Sequence, residues 1–287
     1  MENKIGKIYI VATPIGNLSD ITFRAIEILK TVDFIAAEDT RVTIKILNHF
    51  DIKTKLISNH EHNEKEKAQS IIDKVLSGSN VAVVTDAGTP IISDPGSILV
   101  KEAVKNEIEV ISIPGACAAI NALVVSGLPS DEFHFVGFIP TNNKEKNNLI
   151  DKLKNETSTM IFYIPAHGIR KNIKLLIDVF GVDRLASLSR EMTKIHEETI
   201  RGTLKEINDL IDESKEKGEF VLVVSGISKK ELIEDDKNKW LSITILEHVE
   251  FYKKQGIKEM DAIKLVAKDR GVAKNVIYKE YVNGKRS

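Results

Sequence analysis

The chain has a single cysteine, Cys117, in 287 residues. One thiol excludes an intramolecular disulfide and any metal site built from several cysteines, and it fits a reducing compartment. No apolar run approaches the ~18 residues that a membrane helix needs. The start, Met1 to Lys7, lacks the long apolar core of a signal peptide. Charge of one sign is also missing. The formal net charge is −1, so no global basic field attracts nucleic acid, and any such contact must come from local patches. There is no tandem repeat. There is also no G-x-G-x-x-G after the first apolar run, only Pro14-Ile15-Gly16-Asn17, which argues against a dinucleotide fold. What is left, at 42% hydrophobic and 29% charged, is a globular chain long enough for two domains. These features predict a cytoplasmic protein.

The densest local signal runs from Val81 to Gly96. Val81 to Val84 predicts a buried strand. A loop rich in Gly, Pro, Asp, Ser and Thr follows, and a helix begins near Ser97. Ligands of open α/β sheets sit beyond the carboxyl ends of the strands, which is where Thr85-Asp86-Ala87-Gly88-Thr89-Pro90 falls. An ordinary strand-to-helix turn is the plainer reading of the same residues.

Further strands are predicted at Lys7–Ala12, Val32–Ala37, Lys55–Ser58 and Glu109–Ile113, alternating with helices. Ser19 or Asp20 is the expected cap of the first helix, and a helix from Glu66 to Leu76 precedes the Val81 strand. This alternation predicts a mostly parallel sheet whose carboxyl ends form one rim. The second half repeats the theme as an α/β or α+β unit. A small-residue helix spans Ala118–Ser126, Thr141–Asn148 is expected to be a mobile loop, a helix is expected from Leu204 to Lys217, and the last strand is Glu219–Ser225. Asp235–Lys239 reads as a linker to three terminal helices. From Lys253 onward, ten Lys/Arg face four acids, about +6 on an otherwise acidic chain. That balance fits either a solvated helical face or a phosphate contact.

Several stretches occur together and in order: Val11–Leu18 (VATPIGNL), Ala36–Arg41 (AAEDTR), His60–Glu64 (HEHNE), Asp86–Gly96 (DAGTPIISDPG), Ile113–Gly115 (IPG), Ser126–Pro129 (SGLP), Ser189–Glu198 (SREMTKIHEE), Arg201–Thr203 (RGT) and Gly271–Tyr278 (GVAKNVIY). Through them the chain resembles the tetrapyrrole (corrin/porphyrin) methylase superfamily and, within it, the ribosomal RNA small subunit methyltransferase I family. The resemblance implies two α/β domains with a cofactor cleft between them and a small helical C-terminal segment, divided as 1–116, 117–228 and 229–287. It implies S-adenosyl-L-methionine-dependent 2′-O-methylation of a cytidine in 16S ribosomal RNA, by a homodimer that meets the small ribosomal subunit and no membrane. One stretch departs from the family pattern. Where the family has Tyr-Glu-Ala-Pro-His-Arg, this chain has Tyr163-Ile164-Pro165-Ala166-His167-Gly168, without the acid and the arginine.

On the resemblance, the cofactor contacts are expected at Pro14, Asp86, Gly88, Thr89, Ile91, Ile92, Ala118, Ala119, Tyr163, Ile164, Met192 and Gly226. Asp94, Pro95 and Gly96 are expected to turn the chain into the next helix. Methyl transfer from a sulfonium needs alignment and exclusion of water rather than a covalent nucleophile, so Cys117 reads as a small residue at a junction. The ribose hydroxyl must lose its proton, and a carboxylate or imidazole would assist. The catalytic candidates are Glu38, Asp39, Arg41, His60 and Glu191. The His60-x-His62 spacing also allows a metal, which one-step transfer does not require. RNA contacts are expected from Arg41, Arg190, Lys268, Arg270 and Lys274. Two other readings stay open: methylation of a tetrapyrrole or another small substrate, and an RNA-binding factor that keeps the cleft without the activity.

Overall fold

A computed structural model describes residues 5–59, 64–211, 217–228, 231–232, 240 and 242–284. The chain divides into two compact units, residues 1–154 with 158–225, and residues 155–157 with 226–287.

The first unit opens with five short strands: β1 (Ile8–Val11), β2 (Phe34–Ala37), β3 (Lys55–Ser58), β4 (Val81–Val84) and β5 (Val110–Ile113). They pair in the order β3-β2-β4-β1-β5, and every pairing is parallel. Helices α1 (Phe23–Thr31), α2 (Thr40–His49), α3 (Glu64–Leu76) and α4 (Ser97–Lys105) are the crossovers. The two-residue period of the strands sorts their side chains between two cores. Ile8, Ile10, Val81 and Val83 pack on Ile71, Ile72 and Val75 of α3 and Leu99 of α4. Val11, Ile35, Ala82 and Val84 pack on Ala25 and Leu29 of α1 and Leu47 of α2. Coverage of both faces explains why Val81–Val84 is apolar without alternation.

The second sheet contains β6 (Phe133–Phe138), β7 (Thr159–Pro165), β8 (Leu185–Arg190), β9 (Glu198–Thr203) and β10 (Glu219–Val224). Its order is β6-β7-β10-β8-β9. Only β6–β7 is parallel; the other three pairings are antiparallel. On one face lie α6 (Asn143–Leu153), α7 (Ile169–Phe180) and α8 (Leu204–Leu210). On the other lies α5 (Ala118–Ser126), whose Ala119, Ala122 and Leu123 meet Ile161, Val221 and Val223. Ile15, from the loop after β1, joins this same cluster and ties the first sheet's rim to the second sheet.

Three local expectations need correction. The α1 cap is Thr22, whose hydroxyl accepts from Ala25 N–H at 3.1 Å; Leu18–Asp20 forms a separate 3-10 turn capped by Asn17. The expected mobile loop at Thr141–Asn148 is largely helix α6. The Asn142 side chain caps it through the Lys144 and Glu145 N–H groups, and burial of Ile150 and Leu153 holds it on the sheet. Its polar composition reflects a wide solvent face. Helix α8 stops at Leu210 rather than continuing to Lys217, and residues 212–216 lie outside the described residues. The expected linker Asp235–Lys239 also lies outside them.

The second unit is built on α9 (Ile245–Lys254), α10 (Glu259–Arg270) and α11 (Lys274–Gly284). Thr244 and Glu247 form a reciprocal capping box at the start of α9. Gly271, in left-handed backbone, ends α10. Val249, Ala262, Ile263, Val266, Ile277 and Tyr281 make its core. No helix among the described residues is long and apolar enough to cross a membrane.

Candidate active site

The loop after β4 is fastened to the loop after β1. Thr13 and Gly88 exchange backbone bonds of 2.8 and 3.1 Å, and the Thr13 hydroxyl donates to the Thr85 carbonyl at 3.1 Å. Thr89 donates its hydroxyl to the Ala116 carbonyl at 3.0 Å, which adds the chain after β5. Four residues of this loop have left-handed backbone: Gly88, Ile91, Ser93 and Gly96. A β-branched residue in that region is an outlier. Ile91, at φ +80°, is held there while it packs beside the first core. Strain of this kind persists where surrounding contacts over-determine the backbone.

These loops and the second sheet enclose a cavity of about 340 Å³, within the roughly 300–1,000 Å³ of small-molecule sites. The first sheet's loops contribute Ile15, Ala87, Gly88, Thr89, Ile92, Ser93 and Asp94. The head of α5 adds Cys117 and Ala118. The second sheet adds Phe138, Tyr163 to Ala166, Met192, and Gly218 to Val221. Phe135 and Phe138 stand edge-on to Tyr163, with ring centroids at 5.2 and 5.4 Å. Burial pushes the Tyr163 phenol up to about 12, so it is neutral and can donate a hydrogen bond at physiological pH.

Acids gather at the first sheet's rim. Thr85 donates its hydroxyl to Glu38, and Asp86 N–H points to the same carboxylate at 3.4 Å. Asp86 accepts the Asp39 N–H at 3.0 Å. Burial, opposed by that bond, leaves the Asp86 carboxyl raised. Asp39 caps α2 and grips Arg41, whose Nη2 lies 2.6 Å from Asp39 Oδ2; this bond first of all holds the Asp39 carboxyl down at about 2. Asp94 is half-buried on the cavity wall, and its carboxyl is pushed up to about 6 by burial and then by the Glu38 charge.

The structure brings seven of the twelve expected cofactor residues to the cavity: Gly88, Thr89, Ile92, Ala118, Tyr163, Ile164 and Met192. The Ile164 side chain is buried in the core facing α7, so its place on the wall beside Pro165 and Ala166 leaves that stretch without a charged group. The other five lie off the cavity lining. Pro14 is buried and does not line the cavity. Asp86 does not line it, and one of its carboxylate oxygens accepts the Asp39 N–H. Ile91 packs toward the first core, and Ala119 is buried between α5 and the second sheet. Gly226 belongs to the second unit. It follows the carboxyl end of β10, but β10 runs antiparallel to β7, with Glu219 opposite Pro165. The amino end of β10 therefore reaches the cavity, which is why Gly218 to Val221 are there.

The catalytic candidates are also redistributed. Glu38, Asp39 and Arg41 form the network behind the loop and do not line the cavity. Glu191 is not a free base. It pairs with Lys194 at 2.9 Å and accepts the Glu219 N–H at 2.9 Å. Burial would raise its carboxyl, but these bonds outweigh it and the net direction is down. His60 lies outside the described residues. Among the RNA candidates, Arg190 donates to the Lys217 carbonyl at 2.9 Å and fixes the approach to β10. Arg270 is an internal strut rather than a surface cation: it donates to His248 Nδ1 at 3.2 Å and to the Ile243 carbonyl at 2.7 Å. Lys268 and Lys274 are exposed. Asp94, expected to be a turn residue, lines the cavity, while Gly96 does cap α4.

The family model for Tetrapyrrole (Corrin/Porphyrin) Methylases matches residues 7–208. Curated proteins named ribosomal RNA small subunit methyltransferase I match beyond that range. The one from Halalkalibacterium halodurans is 48% identical over 96% of this chain and 94% of its own length. The Bacillus subtilis protein is 43% identical over 98% and 95%. The chain belongs to the tetrapyrrole methylases, in the ribosomal RNA small subunit methyltransferase I family. A solved diphthine synthase shares the methylase fold at a TM-score of 0.61 and 15% identity, over 77% of this chain and 90% of that one. A uroporphyrin-III-C-methyltransferase from Thermus thermophilus does so at 0.55 and 18%, over 77% and 94%. The fold expected from the sequence motifs is thus the fold observed.

Proposed function

We propose that this methylase transfers a methyl group from S-adenosyl-L-methionine to the ribose 2′-hydroxyl of a cytidine in 16S ribosomal RNA. The carrying observation is the match to relatives of that name along nearly the whole chain, terminal helices included. The cavity supports it. Its walls of Ile15, Ile92, Phe138, Met192 and Val221 suit a flat base. Gly88 and Gly218, without side chains, leave room at the wall for close approach of a ligand. When bound, the cofactor supplies a methyl group activated on a sulfonium.

Gly88, Thr89, Ile92, Ala118, Tyr163, Ile164 and Met192 hold the donor in this reading. The apolar walls exclude water that would compete as acceptor. Arg41, together with the exposed Lys268 and Lys274, contacts the RNA backbone. The protein works as a homodimer in the cytoplasm, where its ribosomal substrate is found. Incubation with methyl-labelled S-adenosyl-L-methionine and small subunits from a strain lacking the enzyme tests the reaction. Label on a single cytidine ribose is expected. Label on a base would refute 2′-O transfer, and absence of label would refute the transferase reading.

A further inference from the structure

The cavity's carboxylates are Asp94 and Glu219. Glu219 is an exposed group with Lys194 at 3.0 Å, so its charge is already engaged. No lysine or arginine among the described residues forms an ion pair with Asp94. Its side chain meets the Thr85 hydroxyl instead. That hydroxyl carries one proton and donates it to Glu38. Asp94 and Glu38 therefore share a single donor, and of the two only Asp94 lines the cavity.

We infer that Asp94 is the catalytic base of the methyl transfer, taking the proton of the acceptor hydroxyl, with Glu38 and Thr85 as its positioning residues. The inference rests on the proposed function. As the acceptor oxygen forms its bond to the methyl carbon, the carbon–sulfur bond breaks and its electron pair stays on sulfur. The hydroxyl proton passes to a carboxylate oxygen of Asp94 and later to water.

The groups around Asp94 agree with this role. Glu38 at the end of β2 and Asp86 in the same loop are both acidic, and both push the Asp94 carboxyl up. Tyr163 on β7 keeps its phenol proton near pH 7 and so is not available as a base. Glu219 on β10 is paired. A carboxylate raised to about 6 is mostly ionised at neutral pH and still accepts a proton with useful driving force. Glu38, Asp39 and Arg41 carry the family-like motif at this rim, yet they stand one layer behind the wall.

The test is single-turnover transfer to small subunits across pH 5–9 at saturating S-adenosyl-L-methionine, with cofactor affinity measured by calorimetry. The wild type is expected to lose rate as pH falls through about 6. Asp94→Asn should lower the rate by roughly 10²–10⁴-fold, abolish that acid limb, and leave cofactor affinity within about threefold. Glu38→Gln removes the neighbouring charge while it can still accept the Thr85 bond, so the acid limb should move to lower pH. If Asp94→Asn keeps the wild-type profile, Asp94 is not the base. If its cofactor affinity falls in step with its rate, Asp94 is a donor-binding group and the inference is overturned. A wild type that transfers no methyl group refutes the proposed function itself, a result distinct from either of these.

Discussion

Replacing Gly88 by alanine probes the loop that closes the cavity. Gly88 sits at φ +87° and exchanges two backbone bonds with Thr13. A Cβ there would lie 3.2 Å from Ile15 Cγ2 and 3.7 Å from the Ala116 carbonyl oxygen. Left-handed backbone costs a residue with a Cβ about 1–2 kcal/mol. The loop has two ways to respond. It can keep its shape, bear that cost and displace Ile15 by a few tenths of an ångström. Or it can open and lose the two bonds to Thr13, worth about 0.5–1.5 kcal/mol each. Both responses cost about 1–3 kcal/mol, which lowers Tm by roughly 2–12 °C for a domain of this size. Both also disturb the wall where Ile15 and Thr89 stand. A loop that opens to relieve about 1–2 kcal/mol must close again on binding, so the Kd for S-adenosyl-L-methionine should rise about 5- to 30-fold. Gly127→Ala is the control. Gly127 also has left-handed backbone, at φ +75°, but no atom lies within 4 Å of its added Cβ and it is not a cavity residue. It should lower Tm by a similar amount and leave Kd unchanged. Thermal unfolding and calorimetric titration of the two variants decide the matter. Equal cofactor affinity in both would refute the assignment of this loop to the donor site.

Three other outcomes are expected. Glu191→Gln should lower stability by about 1–2 kcal/mol at pH 7, since Lys194 and the Glu219 N–H lose a charged acceptor; because folding lowers the Glu191 carboxyl, the difference should fade as pH drops below about 4, and a constant gap in acid would contradict the pairing. His248 is fully buried, and burial followed by the Arg270 charge depresses its pKa; the unfolded chain then binds the extra proton, so amide exchange in α9 to α11 should accelerate as pH falls below about 6.5 after correction for intrinsic rates, and a flat profile would refute the assignment. Lys268→Ala and Lys274→Ala should each reduce the salt slope of RNA binding by about 1 with folding intact, while Arg270→Ala should loosen the terminal helices themselves; equal exchange protection in all three variants would count against Arg270 as a strut.

Local sequence patterns placed most single strands and helices. Val81–Val84 and Ala118–Ser126 appear with the bounds that their composition implies. The parallel first sheet follows from alternating strands and helices, because each crossover must return the chain to the same end. The cap at Thr22 and the helix end at Leu210 shifted two local boundaries, and the larger misreading involved a tertiary face. The Asn143–Leu153 helix looks like a loop because only its Ile150 and Leu153 are fully buried. At β10 the amino end rather than the carboxyl end meets the cavity, because strand direction in the second sheet is a property of pairing and leaves no mark on Glu219–Val224.

The sequence by itself determined the family, the parallel sheet and most of the loop that walls the cavity, since these rest on local residue types in order: apolar runs, Gly and Pro at turns, small residues at close approaches. Only the tertiary structure decided which polar groups are free to act. Asp86, Glu191 and Arg270 look as reactive in the sequence as Asp94 does. Each is satisfied by a partner that folding brings to it: Asp39, Lys194 and the Ile243 carbonyl. Asp94 is left half-buried at the cavity, beside other acids and without a cation. Burial and charge at that point depend on chain segments about 50 residues away, such as Glu38, and no local pattern encodes such a meeting.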